Sequence, residues 1–509
     1  MKILDCTLRD GGYYTQWDFA DSVVDTYIHS TNLLPIDYLE VGYRHLPQKQ
    51  YMGQYAYLPI DTLKRLRQLS TKKLAVMLDE KSTNLSSLEH QLSPIQGMVD
   101  MVRLAIAPTN LARAVPLAER IRKLGFEVGM NVMYMSKWLD KPDFLKSLNM
   151  VNDVANIFCM VDSFGGVLPN DFRRIVAAVK RHVTCPIGFH GHNNLHIALA
   201  NALSAIEEGV EFIDSTICGM GRGAGNLETE LLLTVLNQQG LDVDFNILGK
   251  VVETFHEMQK QYEWGTNLPY MISGANSIPQ KEVMDWFCNR AYSFNSIIQA
   301  LNNKRQPAKS DVHYPLLPEK ERDKVLIIGG GLTVVQSQKA ILKYLSQNPD
   351  IVVIFATARH ASLLMNKLQN ESFFCLSGDE AERLKAQLNG IPLPGTCICP
   401  PPPRPIEPNL DGFDKDKTFE LPGITITDKY QHSCTALALQ LAKELKAKHI
   451  QFIGYDGYSG HVLTQKENIL TSENHYIFSK FIEQEKLPIY TLTPSSYADL
   501  TPESVYQHI

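Results

Sequence analysis

Along the first 220 residues, short apolar runs rich in β-branched and aromatic residues alternate with longer stretches in which apolar positions recur every three or four residues. The short runs are KILDCTL (2–8), IDYLEVGY (36–43), KLAVML (73–78), VDMVRLAI (99–106), FEVGMNVMY (126–134), NIFCMVDS (156–163), PIGFHGH (186–192) and VEFIDSTI (210–217). The intervening stretches LARAVPLAERIRKLGF (111–126), NDFRRIVAAVKRHV (170–183) and NNLHIALANALSAIEEGV (193–210) have helical period. Eight strand-like runs spaced by about 25 to 35 residues suit βα units and predict a TIM (β/α)8 barrel, with a doubly wound open sheet as the alternative.

After residue 240 the pattern changes. FNILGKVVETFHEMQKQYEWG (245–265) and KEVMDWFCNRAYSFNSIIQALNN (281–303) read as helices joined by a loop over 266–280, a helical extension of the barrel. The charged, proline-containing stretch 302–324 has no periodicity and reads as a linker. A new α/β pattern then starts. VLIIGGGL (325–332) leads into a helix-like segment, and IVVIFAT (351–357), the run around 373–376 and HIQFIGYDGY (449–458) supply further strands. The resulting organisation is a barrel over 1–240, a helical extension over 241–303, a linker over 304–323 and a Rossmann-like α/β domain over 324–509. CPPPPRPIEP (399–408) is expected to be a stiff surface segment of that last domain.

Composition changes this picture little. The chain has 509 residues, 44% of them hydrophobic and 20% charged, which is ordinary for a globular protein. A net charge of −6 gives no electrostatic reason to expect nucleic acid or an anionic membrane as partner. The start, MKILDCTLRD, lacks an apolar signal segment, and no uncharged apolar stretch is long enough to span a bilayer. Nine scattered cysteines predict reduced thiols and a cytoplasmic protein.

Candidate chemistry gathers at the strand ends. In GFHGHNNL (188–195), His190 and His192 are two apart, so on a strand both imidazoles face the same way. Asp10, in LDCTLRDGG (4–12), follows the first run. In a closed barrel only the eighth strand separates the first from the seventh, so Asp10, His190 and His192 can converge on one cation. One carboxylate and two imidazoles leave coordination positions open, which suits an octahedral Mn²⁺ or Mg²⁺ that binds substrate directly. Gly11 and Gly12 are expected to let the backbone turn sharply and approach a ligand.

The segments DCTLRDGG, GFHGHNNL and CGMGRGAGNLETE resemble the metal-dependent aldolase and lyase superfamily of 4-hydroxy-2-oxovalerate aldolase, 3-hydroxy-3-methylglutaryl-coenzyme A lyase and isopropylmalate synthase, the first branch most closely. MVRLA (101–105), VMYMS (132–136) and MVDSFGG (160–166) also fit that branch, and the likeness covers roughly residues 1–240. The resemblance implies a divalent cation and carbon–carbon bond chemistry on a small 2-oxo acid and an aldehyde, in a homo-oligomer. It assigns the metal ligands to Asp10, His190 and His192, with Asn226 a ligand as in the lyases. It makes Arg9 the catalytic arginine, puts Ser163 next to substrate and makes Glu40 a supporting acid, for which a buried structural ion pair is the alternative.

One position departs from the family. Where the aldolases carry a histidine after Arg-Asp-Gly, this chain has GGYYTQW, which puts Tyr13 there. A phenol, with a usual pKa of about 10, is a poor base at neutral pH. Tyr13 is therefore expected near substrate, and three options stand for the base: Tyr13 or Tyr14 tuned by the cation, His45 as a substitute, or a reaction that differs from the family's. A Claisen-type synthase or lyase using an acyl-coenzyme A is the alternative activity, although those synthases prefer Gly-Glu-Gln after Arg-Asp. A non-catalytic homologue that keeps the metal site is a third reading. In the second domain Gly329, Gly330 and Gly331 offer a phosphate loop. The next strand run ends in Ala356 and Thr357 rather than an acid, so NAD is not expected there.

Overall fold

The computed structural model describes residues 1–48, 51–285, 297–298, 301, 313–402, 404, 407–458 and 465–509. The chain divides into two compact units, Met1–Val283 and Met284–Ile509. The expected linker lies outside the described residues over 304–312, as does most of the helix expected over 281–303.

Unit 1 is a closed parallel barrel of eight strands: β1 (Lys2–Asp5), β2 (Tyr38–Tyr43), β3 (Lys73–Asp79), β4 (Met101–Ile106), β5 (Glu127–Val132), β6 (Ile157–Asp162), β7 (Ile187–Gly191) and β8 (Phe212–Ser215). The register Ile3↔Ile213 and Leu4↔Asp214 closes the ring and excludes the open-sheet alternative. Outward positions on the strands pack on the surrounding helices. Phe158 and Phe189 are fully buried there, and Phe189 meets Phe172 of the helix Pro169–Lys180 edge to face, with centroids 4.7 Å apart. Each such side chain contributes about 1.5–3 kcal/mol by leaving water. Inward positions form layers. Leu4, Tyr38, Met101, Ile157 and Phe212 make an apolar floor, and Glu40, Arg103 and Asp214 lie buried among the inward-facing groups.

Two sequence expectations need correction in unit 1. The first strand ends at Asp5, and residues Thr7–Thr15 form a helix instead of continuing it. Asp5 makes the turn: its carboxylate accepts from the Thr7 amide (3.0 Å), the Thr7 hydroxyl (2.6 Å), Tyr27 (2.6 Å) and Thr229 (2.6 Å). Gly11 and Gly12 are therefore helical, not a sharp turn. Their missing side chains admit neighbours, since a Cβ would fall 2.4 Å from Met220 Sδ and 2.1 Å from the Trp17 ring. The expected loop over 266–280 contains the helix Leu268–Ala275, capped by the Asn267 side chain, which accepts from the Tyr270 amide. The helix Phe245–Tyr262 packs on the barrel, with Phe255 against Tyr27 at 6.0 Å.

Unit 2 holds an eight-stranded sheet: β9 (Lys324–Ile328), β10 (Val352–Phe355), β11 (Ser372–Cys375), β12 (Thr396–Cys399), β13 (Thr418–Glu420), β14 (His449–Ile453), β15 (Ile489–Thr491) and β16 (Thr501–Pro502). The order is β13-β12-β11-β10-β9-β14-β15-β16, and every pairing is parallel. The winding direction thus reverses between β9 and β14. Alternate residues of β9 feed cores on opposite faces, Val325 and Ile327 on one and Leu326 and Ile328 on the other. The proline-rich segment is not a surface strut in its described residues: Pro400 and Arg404 are buried, and Arg404 pairs with Glu407 and Glu420. Among the described residues no helix is long and apolar enough to cross a membrane, and the eight described cysteines are free.

Candidate active site

The helix Thr7–Thr15 directs Arg9 and Asp10 over the C-terminal end of the barrel, where loop residues have the freedom to carry chemistry. Asp10, His190 and His192 offer ligand atoms that all lie within 4.8 Å of one another. The sheet's two-residue period turns His190 inward from β7, and His192 follows where that strand ends. Both imidazoles are oriented from behind. His192 Nδ1 donates to the Asp162 carbonyl (2.8 Å), and His190 Nδ1 donates to Asp214 Oδ2 (3.0 Å). Each contact makes Nδ1 the donor and turns the Nε2 edge of the ring away from that partner, the orientation a metal-binding imidazole requires. His190 Nε2 lies 3.7 Å from Asp10 Oδ2.

Electrostatics keep the donors in that form. Burial opposes ionisation of Asp10, but the Arg9 guanidinium, with the hydrogen bond from Asn226, outweighs it and holds its carboxyl well below the usual range. Burial pushes His192 down to about 4, so its ring is neutral at pH 7. Asn226 Nδ2 donates to Asp10 Oδ2 at 2.5 Å. Asn226 Oδ1 is buried with no hydrogen-bond partner among the described residues. An orphaned buried acceptor beside a carboxylate and two free imidazole lone pairs is the environment a hard divalent cation satisfies. A second trio, Cys6, His190 and Asp214, is also close. Burial pushes the Cys6 thiol up, and Asp214 already pairs with Arg103 at 2.6 Å, so this set orients His190 from within the barrel.

Arg9 is held by two acids, with Nε 2.7 Å from Glu40 and Nη1 2.5 Å from Asp10. Glu40 also lies 3.3 Å from Arg103. It thus touches Arg9 and belongs to a buried ion-pair network. A cavity of about 460 Å³ opens above these groups. Tyr13, His45 and Ser163 line it, together with Tyr43 and Arg222. The Tyr13 hydroxyl lies 3.2 Å from that of Tyr43, and His45 stacks on Tyr43 with ring centroids 4.4 Å apart. Burial lowers the His45 pKa. Ser163 Oγ accepts from the Tyr134 amide at 2.9 Å.

Sequence reasoning missed Arg103, Asp214, Arg222 and Gln280. The first two carried a signal: each is a lone charge inside an otherwise apolar barrel strand, at an inward position. Gln280 spans the site's edge, accepting from the Ala224 amide (3.0 Å) and donating to Asn194 Oδ1 (2.9 Å).

Gly329, Gly330 and Gly331 lie in unit 2, after β9. Gly329 and Gly331 donate to the Ile453 and Gly454 carbonyls, both at 2.8 Å. The Asp456 carboxylate accepts from the Thr333 amide (3.0 Å) and hydroxyl, and a Cβ on Gly331 would fall 2.3 Å from it.

A parallel (β/α)8 barrel with a carboxylate–imidazole donor set at its mouth is an architecture that metal-assisted enzymes use. Comparison with known proteins narrows it. The HMGL-like family model matches residues 102–254. An oxaloacetate decarboxylase of Mycobacterium tuberculosis is 30% identical over 47% of this chain and 70% of its own length. A 4-hydroxy-2-oxovalerate aldolase of Moorella thermoacetica is 30% identical over 54% of this chain and 82% of its own. Among solved structures, the N-terminal domain of an aldolase candidate from Bacteroides vulgatus is 58% identical, with a TM-score of 0.57, over 59% of this chain and all of that one. The chain belongs to the HMGL-like family. The named relatives are lyases, and lyase is the general class of activity they support for it.

Proposed function

We propose that unit 1 is a divalent-metal-dependent lyase that breaks or forms the bond between a pyruvate enolate and an aldehyde, acting on a 4-hydroxy-2-oxo acid. The observation that carries this reading is the convergence of Asp10, His190 and His192, with both Nδ1 protons turned away to fixed acceptors. These three side chains, with Asn226 Oδ1, would hold Mn²⁺ or Mg²⁺. Bound there, the cation supplies Lewis acidity toward the oxygens of a 2-oxo acid.

The chain's own groups do the rest. Breaking the C3–C4 bond moves its electron pair into an enolate, and negative charge develops on the former keto oxygen. Arg9, clamped by Glu40 and Asp10, offers fixed donors to that charge at no cost in reorganisation. The Tyr13–Tyr43 hydroxyl pair holds a proton near the cleaved bond. Burial and the neighbouring Tyr13 push the Tyr43 phenol well above its usual range, so it stays protonated. The pair is suited to give a proton to an aldehyde oxygen during condensation; cleavage needs an acceptor for the C4-hydroxyl proton, and His45, whose pKa burial lowers, lines the same cavity as a base.

That same hydroxyl pair favours a second reading, β-decarboxylation of a 2-oxo diacid. There the C3–C4 bond breaks, carbon dioxide leaves, and the same enolate takes a proton at C3. No base is needed, which fits a site with a phenol where the aldolases have a histidine.

Pyruvate release from a panel of 4-hydroxy-2-oxo acids and from oxaloacetate, with Mn²⁺ and after chelation, tests both. Metal-dependent release from a hydroxy-oxo acid is the expected result, with Tyr13→Phe lowering turnover at least about tenfold. Release from oxaloacetate alone replaces the first reading by the second. Absence of pyruvate from every substrate removes both.

A further inference from the structure

The wall of the barrel cavity is unevenly charged. Four basic side chains line it, Arg9, Lys81, Arg222 and Lys281, against two acidic ones, Asp10 and Asp79. Arg9 and Asp10 are committed to each other. Lys81 and Lys281 are exposed at the cavity edge. Arg222 is half-buried and lies over the face of Tyr13, its guanidinium carbon 3.8 Å from the ring centroid. Among the described residues its guanidinium has neither an ion-pair partner nor a hydrogen bond. A planar donor fork stacked on an aromatic ring, without a counter-ion and facing a cavity, is arranged to receive a carboxylate or phosphate. Burying such a cation unpaired is costly unless a ligand completes it.

We infer that the substrate carries a second acidic group, a carboxylate or a phosphate, on the part that leaves as the aldehyde, and that Arg222 recognises it with help from Lys81 and Lys281. The inference rests on the aldol reading above and adds the chemistry of the aldehyde half. Tyr13 belongs to the same arrangement: its hydroxyl faces Tyr43 while its ring supports Arg222, so proton transfer and recognition of the tail share one side chain.

The test compares kcat/KM for pyruvate release from three substrates: 4-hydroxy-2-oxovalerate, with a neutral tail; 4-hydroxy-2-oxoglutarate, with a carboxylate; and 2-oxo-3-deoxy-6-phosphogluconate, with a phosphate. The expected result is a preference of at least about 50-fold for an acidic tail, carried mostly by KM, and the preferred member tells carboxylate from phosphate. Arg222→Gln should cut the acidic-over-neutral ratio at least about tenfold, and Lys281→Ala or Lys81→Ala about two- to threefold. Should Arg222→Gln not fold, the two exposed lysine variants decide, and an unchanged ratio in both overturns the inference. Preference for the neutral tail overturns it while leaving the lyase reading intact. An equal loss on all three substrates in Arg222→Gln also overturns it, because the arginine would then hold the 2-oxo acid head. Failure to cleave any of the three, with other hydroxy-oxo acids still cleaved, overturns the inference alone. Failure across the whole panel removes the aldol reading itself.

Discussion

Each unit is built on eight parallel strands, and each sets an aspartate at a strand's C-terminal end among glycine-rich loops, yet the two carboxylates live differently. In the open sheet, Asp456 is engaged by its surroundings: the Thr333 amide and hydroxyl both donate to it, and it sits against Gly331 where a Cβ would fall 2.3 Å away. In the barrel, Asp10 accepts from Arg9 and Asn226, each at 2.5 Å, but beside it lie two imidazoles turned by their Nδ1 contacts and an Asn226 oxygen with no partner among the described residues. The unpartnered oxygen and the two imidazoles are what the proposed cation would complete, whereas Asp456 has its contacts within the protein. A glycine-rich loop beside an acid is thus no evidence of a site until its donors and acceptors have been matched.

Removing each carboxylate breaks this contrast most sharply. Asp10→Ala should abolish Mn²⁺ binding by calorimetry and lower turnover at least about a thousandfold. Asp456→Ala should leave both unchanged while destabilising unit 2 by about 1–3 kcal/mol in denaturant unfolding, because two buried donors lose their acceptor. Loss of metal binding in Asp456→Ala would erase the distinction. A smaller effect is expected at Gly221, where a Cβ would fall 2.3 Å from Asn226 Nδ2 and 3.0 Å from Asp10 Oδ2. Gly221→Ala should weaken Mn²⁺ affinity about 10–100-fold without unfolding the barrel. Wild-type affinity would mean that the Asn226–Asp10 pair does not support the cation.

The smallest effect concerns pH and is confined to unit 1. Burial raises the Glu230 carboxyl from its ordinary 4.5 to about 7. Between those values the folded chain keeps a proton that the unfolded chain has released. The associated stability is fully present below pH 4.5 and is lost as pH rises through 7. Glu230→Gln keeps the neutral form throughout, so unfolding free energy measured from pH 4.5 to 7.5 should fall less steeply than in the parent. An identical slope would remove Glu230 from the titration.

The strands were legible because a barrel strand is apolar on both faces, and all eight expected runs contain one. The helix Thr7–Thr15 was not legible. TLRDGGYYT has two glycines and poor helical propensity, and it forms because Asp5 captures its first turn and because Met220 and Trp17 fill the space above the glycines. The helix Leu268–Ala275 was masked by Pro269 and Gly274, although Asn267 followed by an early proline is a start signal. In the site, the His-x-His spacing and Asp10 could be read directly. Arg103 and Asp214 act through long-range contacts, to Glu40 and His190, that no local pattern encodes.

Ring closure has a further consequence for how the protein matures. Because β1 pairs with β8, Asp10 meets its partners only when a stretch some two hundred residues downstream has been made and docked. No fragment ending before Asn226 can assemble the full set of ligands. Under the proposed function, cation loading would therefore be a late event that reports completion of the barrel, and a free divalent ion would favour the finished ring over every partly wound precursor by mass action.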